Sequence, residues 1–154
     1  MGKEKMTKLE KQWVLYDVGN SAFVMLVSTI IPIYFKNMAT ASGISAANST
    51  AYLSYAISIS TILVALLGPV CGAAADNKGF KKPLFTAFMM IGVIACAAMG
   101  IPKTWLAFLV VFVIAKVGFS GSLIFYDSML VDVTTDERMD EVSSHGYALS
   151  LIHI

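Results

Sequence analysis

The chain has 154 residues, of which 57% are hydrophobic and 14% charged, with a net charge of +1 and a mean hydropathy of +0.74. Soluble domains of this size carry about a quarter charged residues, so the composition excludes a disordered chain, a nucleic-acid-binding domain and an ordinary cytosolic enzyme. The near-zero net charge points to no macromolecular partner. Cys71 and Cys96 both sit in apolar runs and read as small buried hydrophobes, not as a disulfide or metal framework. No metal and no cofactor is expected.

The placement of the charges carries the main signal. Residues 18–35, 37–75 and 83–102 contain none, and residues 104–126 contain one, Lys116. A membrane-spanning helix needs roughly 20 mostly apolar residues, because the hydrocarbon core is about 30 Å thick and a helix rises about 1.5 Å per residue. Four runs reach that length, at about 12–35, 51–75, 83–101 and 104–130. They lack the polar faces that the helices of a soluble bundle would need. The first run is too long for a secretory signal, carries Asp17 and has no small-residue cleavage site after it. The expected fold is all-α: a polytopic helical membrane bundle in one transmembrane domain over 1–154, with the lipid bilayer as its surroundings.

Orientation follows from the lysines and arginines of the short connections. Lys3, Lys5, Lys8, Lys11, Lys78, Lys81, Lys82 and Arg138 fall on one side, and Lys36 and Lys103 on the other. The N-terminus is therefore expected in the cytoplasm. The segment 36–50, rich in Ala, Ser and Asn, becomes an external loop, and its Asn48-Ser49-Thr50 sequon reads as a polar turn. After the fourth run, residues 134–141 form a solvated charged loop. A fifth apolar helix starts at about 142 and stops after some 13 residues, too short to cross. The chain reads as the incomplete N-terminal part of a longer protein.

Ionisable groups at membrane depth are costly and face a cavity or a partner. Asp17 lies about one and a half turns into the first run, Lys116 near the middle of the fourth and Asp127 near its cytoplasmic end. Asn20, Ser21, Tyr16 and Tyr126 flank them. Two readings stand side by side: a polar cavity between the first and fourth spans that takes an anionic group or a coupling ion, or a structural role, as an ion pair or a snorkelling lysine that holds helices together. Gly68 and Gly72 form a G-x-x-x-G step, and Gly118 and Gly121 lie in the fourth run; all four read as helix-packing positions. His145 and His153 stand alone and read as neither ligands nor catalysts.

The connection between the second and third runs is more specific. Gly72, Asp76, Gly79, Lys81 and Lys82, followed by Pro83, resemble the G-x-x-x-D-(R/K)-x-G-(R/K)-(R/K) loop of the major facilitator superfamily. Asn77 stands where a basic residue is usual, and Phe80 displaces the basic pair by one. Two further stretches narrow the resemblance. Residues 13–23, with Pro32-Ile33-Tyr34-Phe35 after them, and residues 125–130, with 142–149 after the charged loop, are similar to the vacuole-effluxer-like branch of that superfamily. The tail 150–154 departs from it.

The resemblance implies a secondary transporter of about twelve spans in two halves, of which this chain would supply four and the start of a fifth. It implies a small solute as partner, amino acids among the classes, with a coupling proton or ion. Asp17, Asn20, Lys116, Tyr126 and Asp127 become substrate or coupling candidates, and the loop Gly72, Asp76, Gly79, Lys81 and Lys82 a conformational brace. The short first external loop is similar to bacterial members, which implies a cell membrane. Two alternatives stay open: a small four-span protein acting as a dimeric exporter, and a membrane-embedded phosphoalcohol transferase. The second is weakened because the further aspartates a metal would need are absent near Gly72 and Asp76; an enzyme is not expected.

Overall fold

In a computed structural model the described residues are 6–75 and 79–153, and no strand occurs among them. Helix α1 (Lys8–Met25) begins at a reciprocal cap. Thr7 accepts the Glu10 N–H, and the Glu10 carboxylate accepts the Thr7 N–H. This satisfies two of the donors that a helix start leaves open. The helix then widens into a π-helical segment, Leu26–Ile30, and continues as α2 (Ile31–Ala41). Pro32 accounts for the irregularity. It has no N–H to donate, and its ring crowds the carbonyl four residues back, that of Ser28. The turn before it is closed by a wider bond from the Ile31 N–H to the Leu26 carbonyl.

Helix therefore extends to Ala41 and resumes as α3 (Ala46–Ala75). The external loop expected over 36–50 shrinks to residues 42–45, turning at Gly43 with φ of 85°. Alanine, the strongest helix former, recurs on both sides of that turn, and polarity alone does not end a helix. The sequon falls in the first turn of α3, where the Ser45 hydroxyl accepts the Asn48 N–H at 3.2 Å. Helix α4 (Lys81–Ala98) follows a turn at Gly79, whose φ of 90° suits glycine. Then come α5 (Trp105–Ser128), the short α6 (Leu130–Val133), a 3₁₀ turn (Asp136–Arg138) and α7 (Met139–His153). The continuous helical stretch Lys8–Ala41 and helices α3, α4 and α5 are each long and apolar enough to cross a membrane.

The chain divides into two compact units. One runs from Pro32 to Asp127 and is organised around α5. Phe108, Phe112, Ala115, Gly118, Gly121, Ser122 and Phe125 are all buried along that helix. Helix α4 packs closely against it. A Cβ on Gly118 would stand 2.5 Å from the Gly92 nitrogen and 2.7 Å from its Cα, and one on Gly121 would strike the Phe88 ring. The two backbones thus touch where both residues lack side chains, as lipid-embedded helices favour. Phe88 also packs on Phe125, with ring centroids 5.6 Å apart.

The G-x-x-x-G step contributes less than expected. Gly68 makes ordinary contact with Ile124, and a Cβ on Gly72 would meet nothing among the described residues. Toward the other end of α5, Phe108 holds Tyr34 and Phe35, and Trp105 stacks on Tyr52 at 5.2 Å. Leu66, Val70, Val93, Ile94, Leu106 and Val110 are exposed. Such surface is what a helix turns toward lipid, where every backbone group is already bonded within it.

The other unit comprises the chain up to Ile31 and from Ser128 onward, and its main contact joins α1 to α7. Gly146 makes the contact close. A Cβ there would lie 3.1 Å from the Trp13 ring and 3.6 Å from the Asp17 carboxylate.

Candidate functional site

In the same unit, where the start of α1 meets the segment that follows α6, lies a buried charge cluster. Glu10 is 1% exposed. Its Oε2 accepts the Thr7 N–H at 2.7 Å, and its Oε1 accepts the Thr134 hydroxyl at 2.8 Å. The Arg138 Nη1 lies 3.3 Å from the same Oε1, and Arg138 Nε lies 3.8 Å from Glu141. Glu10 precedes the first span expected from the sequence, residues 12–35. Burial pushes its carboxyl upward, but the Thr7 N–H, the Thr134 hydroxyl and the Arg138 guanidinium together outweigh that and hold it below the ordinary value. Glu10 is an anion at neutral pH, and it ties the start of α1 to the connection after α5.

The 134–141 stretch is thus not simply a solvated loop: Arg138 leaves water to meet Glu10. One half of this site was visible beforehand, because Thr7-x-x-Glu10 ahead of an apolar run is a capping-box pattern. The other half was not, since Thr134 lies 124 residues away.

The expected substrate and coupling residues fall in both units. Asp17 and Asn20 are half-buried on α1. The Asp17 carboxylate lies against the backbone of Gly146, and the Asp17 carbonyl accepts the Ser21 hydroxyl at 3.0 Å. On α5, Lys116 is half-buried, Asp127 is exposed and Tyr126 is buried. At about 100° per residue, Lys116, Ser120 and Asp127 share one face of the helix, while Tyr126 turns about 80° away into the packed side. Asp127 stands 11 residues from Lys116 along one helix, or about 16 Å, beyond the reach of an ion pair. Lys116 makes no ion pair or hydrogen bond with a described residue of its own unit.

Of the loop residues, Asp76, with Asn77 and Lys78, lies outside the described residues. Gly72 ends in open space and Gly79 forms the turn. Lys81 and Lys82 occupy the first turn of α4. Cations there oppose the helix dipole at a cost of about 0.3–1 kcal/mol each, so helix capping does not account for their placement. No group of three or more His, Cys, Asp or Glu that could hold a metal occurs among the described residues.

Long apolar helices, a glycine-to-glycine crossing and charges gathered mostly at the helix ends define a polytopic helical membrane protein. The profile described as "Vacuole effluxer Atg22 like" matches residues 6–146, and the chain belongs to that family. A relative from Bacillus subtilis (strain 168), described as an uncharacterized MFS-type transporter, YxiO, is 46% identical over 152 residues. The alignment covers 97% of this chain and 36% of the relative, so the chain spans about a third of the length of the protein it matches. No solved structure matches.

Proposed function

We propose that the chain forms part of the N-terminal half of a secondary transporter that moves a small solute across the cell membrane by alternating access, with its N-terminus in the cytoplasm. Such folds bind solute near the midplane and expose it to each side in turn. The observation that carries the reading is Lys116. A lysine near the bilayer centre costs about 2.5–3.5 kcal/mol on insertion scales, and no described residue of its own compact unit pairs with it. An anionic group of the solute would. The carboxylate of an amino acid fits, and amino acids are the solute class we assign first. Asp17 is the candidate for the coupling proton or ion, with Asn20 beside it, and Asp127 closes the same α5 face toward the cytoplasm. The loop from Gly72 to Lys82 braces α3 and α4 on the cytoplasmic side.

The test is exchange in proteoliposomes holding the protein expressed from its complete reading frame. Vesicles loaded with one unlabelled amino acid should accumulate the labelled form, and the rate should respond to an imposed pH or sodium gradient. Absence of exchange for all twenty amino acids, with exchange of another solute, would overturn the solute class. Absence of any solute movement by correctly inserted protein would overturn the transporter reading.

A further inference from the structure

A groove of about 460 Å³ runs between α3 and α5, inside the unit from Pro32 to Asp127. Tyr52 and Trp105 line one end, their rings stacked at 5.2 Å, and Ile59 and Ile114 line the other. Every side chain along it is apolar or aromatic, and none is charged. Tyr55, Ile59, Val110 and Ile114 are exposed, so the groove opens sideways along its length.

We infer that the groove binds one acyl chain of a phospholipid with an anionic headgroup, and that the headgroup rests on Lys103 and Lys36 at the Trp105 end. The inference goes beyond the transport reading and holds whichever solute is carried.

The length of the groove favours this occupant. Trp105 and Ile114 are nine residues apart, or about 14 Å along a helix. That is close to half of the roughly 30 Å hydrocarbon core, the depth of one leaflet. A further membrane-spanning helix seated here would need a groove along the whole core.

Its chemistry points the same way. A small solute with an amine and a carboxylate would find no charged partner among the lining residues, and burying unpaired charges is costly. A hydrocarbon tail needs no such partner, and it enters a sideways-open groove from the bilayer. The stacked Tyr52 and Trp105 match the belt that these residue types form at the level of the headgroups.

Charge selects the headgroup. Lys103 precedes Trp105 by two residues. Lys36 follows Phe35, whose ring stacks on Phe108, one turn along α5 from Trp105. Both lysines are exposed. No acidic residue occurs in 18–75 or in 77–126, so this end of the unit is cationic. The attraction of one such lysine to an anionic lipid surface corresponds to about fivefold in affinity.

The experiment is quenching of Trp105 fluorescence by lipids brominated on their acyl chains, with the protein from its complete reading frame in vesicles. Subtracting the emission of Trp105→Phe isolates the signal of Trp105. Brominated phosphatidylglycerol diluted into phosphatidylcholine should quench it more than brominated phosphatidylcholine at the same fraction, with relative affinities differing by about fivefold or more. Lys103→Gln combined with Lys36→Gln should bring that ratio to about one and leave the quenching by phosphatidylcholine unchanged. Equal quenching of the parent by both lipids would mean ordinary lipid contact and overturn the site. A preference that survives both lysine changes would overturn the headgroup assignment. A Trp105 that neither lipid quenches would show that protein or solute fills the groove, and would overturn the proposal outright.

Discussion

Replacing Glu10 with alanine removes three things at once. The helix loses its reciprocal cap with Thr7, worth about 1 kcal/mol. Thr134 loses its acceptor, and Arg138 loses the carboxylate 3.3 Å away; hydrogen bonds to a charged group contribute about 1.5–3 kcal/mol. The Arg138 side chain keeps 18% of its exposure, so water recovers part of its solvation and the loss falls short of that for a fully buried pair. The sum is about 3 kcal/mol. For a chain of this length each kcal/mol shifts Tm by about 2–4 °C, so Glu10→Ala should lower it by roughly 6–12 °C. Thermal unfolding of purified protein in mild detergent measures this. Glu10→Gln keeps the volume and an acceptor oxygen and should lose less. In a cycle with Arg138→Gln the two changes should fail to add by about 1–2 kcal/mol. A Glu10→Ala protein that melts within about 1 °C of the parent, or a cycle that adds fully, would refute the cluster as a tie between α1 and the segment after α5.

Because the folded state holds the Glu10 carboxyl below its ordinary value, its contribution is present above the unfolded value and disappears as pH falls through the folded one. The stability gap between parent and Glu10→Gln should therefore persist at pH 7 and shrink as pH falls below the ordinary carboxylate range, as melting at stepped pH would reveal. Gly118→Ala forces a methyl group onto the Gly92 backbone and should cost about 1–3 kcal/mol or more, whereas Gly72→Ala, with open space before it, should leave Tm unchanged. For topology, cysteines introduced at Ser42 and Phe80, both exposed, serve in a background lacking Cys71 and Cys96. An impermeant reagent added to intact cells should label position 42 and spare position 80, and the reverse pattern would invert the assigned orientation.

Helix existence was readable because charge is excluded from long runs, and lipid imposes that rule on every residue of a span. The ends were less readable. Nothing in 36–50 forbids helix, and only Gly43 turns the chain. The glycines show the same division. Gly118 and Gly121 were assigned to packing, and α4 does pack there. Yet the contact depends on Gly92, which lies in no motif, and the eye-catching Gly72 touches nothing described. A spacing rule states that backbones can approach, not which helix arrives. Glu10 illustrates the limit most sharply. Its cap is local and legible, but its partners Thr134 and Arg138 come from far along the chain. The π-segment was also hidden, because Pro32 alone permits a kink, a break or, like Pro69, neither.

The central claim is that Lys116 serves a solute and not the fold. Lys116→Met keeps the length and apolar stem of the side chain and removes only the charge. The decisive comparison is solute exchange by parent and Lys116→Met proteins, expressed from the complete reading frame and matched for abundance in the membrane. The account predicts equal abundance, an unshifted Tm and abolished exchange. Parental exchange rates in the Lys116→Met protein would contradict it.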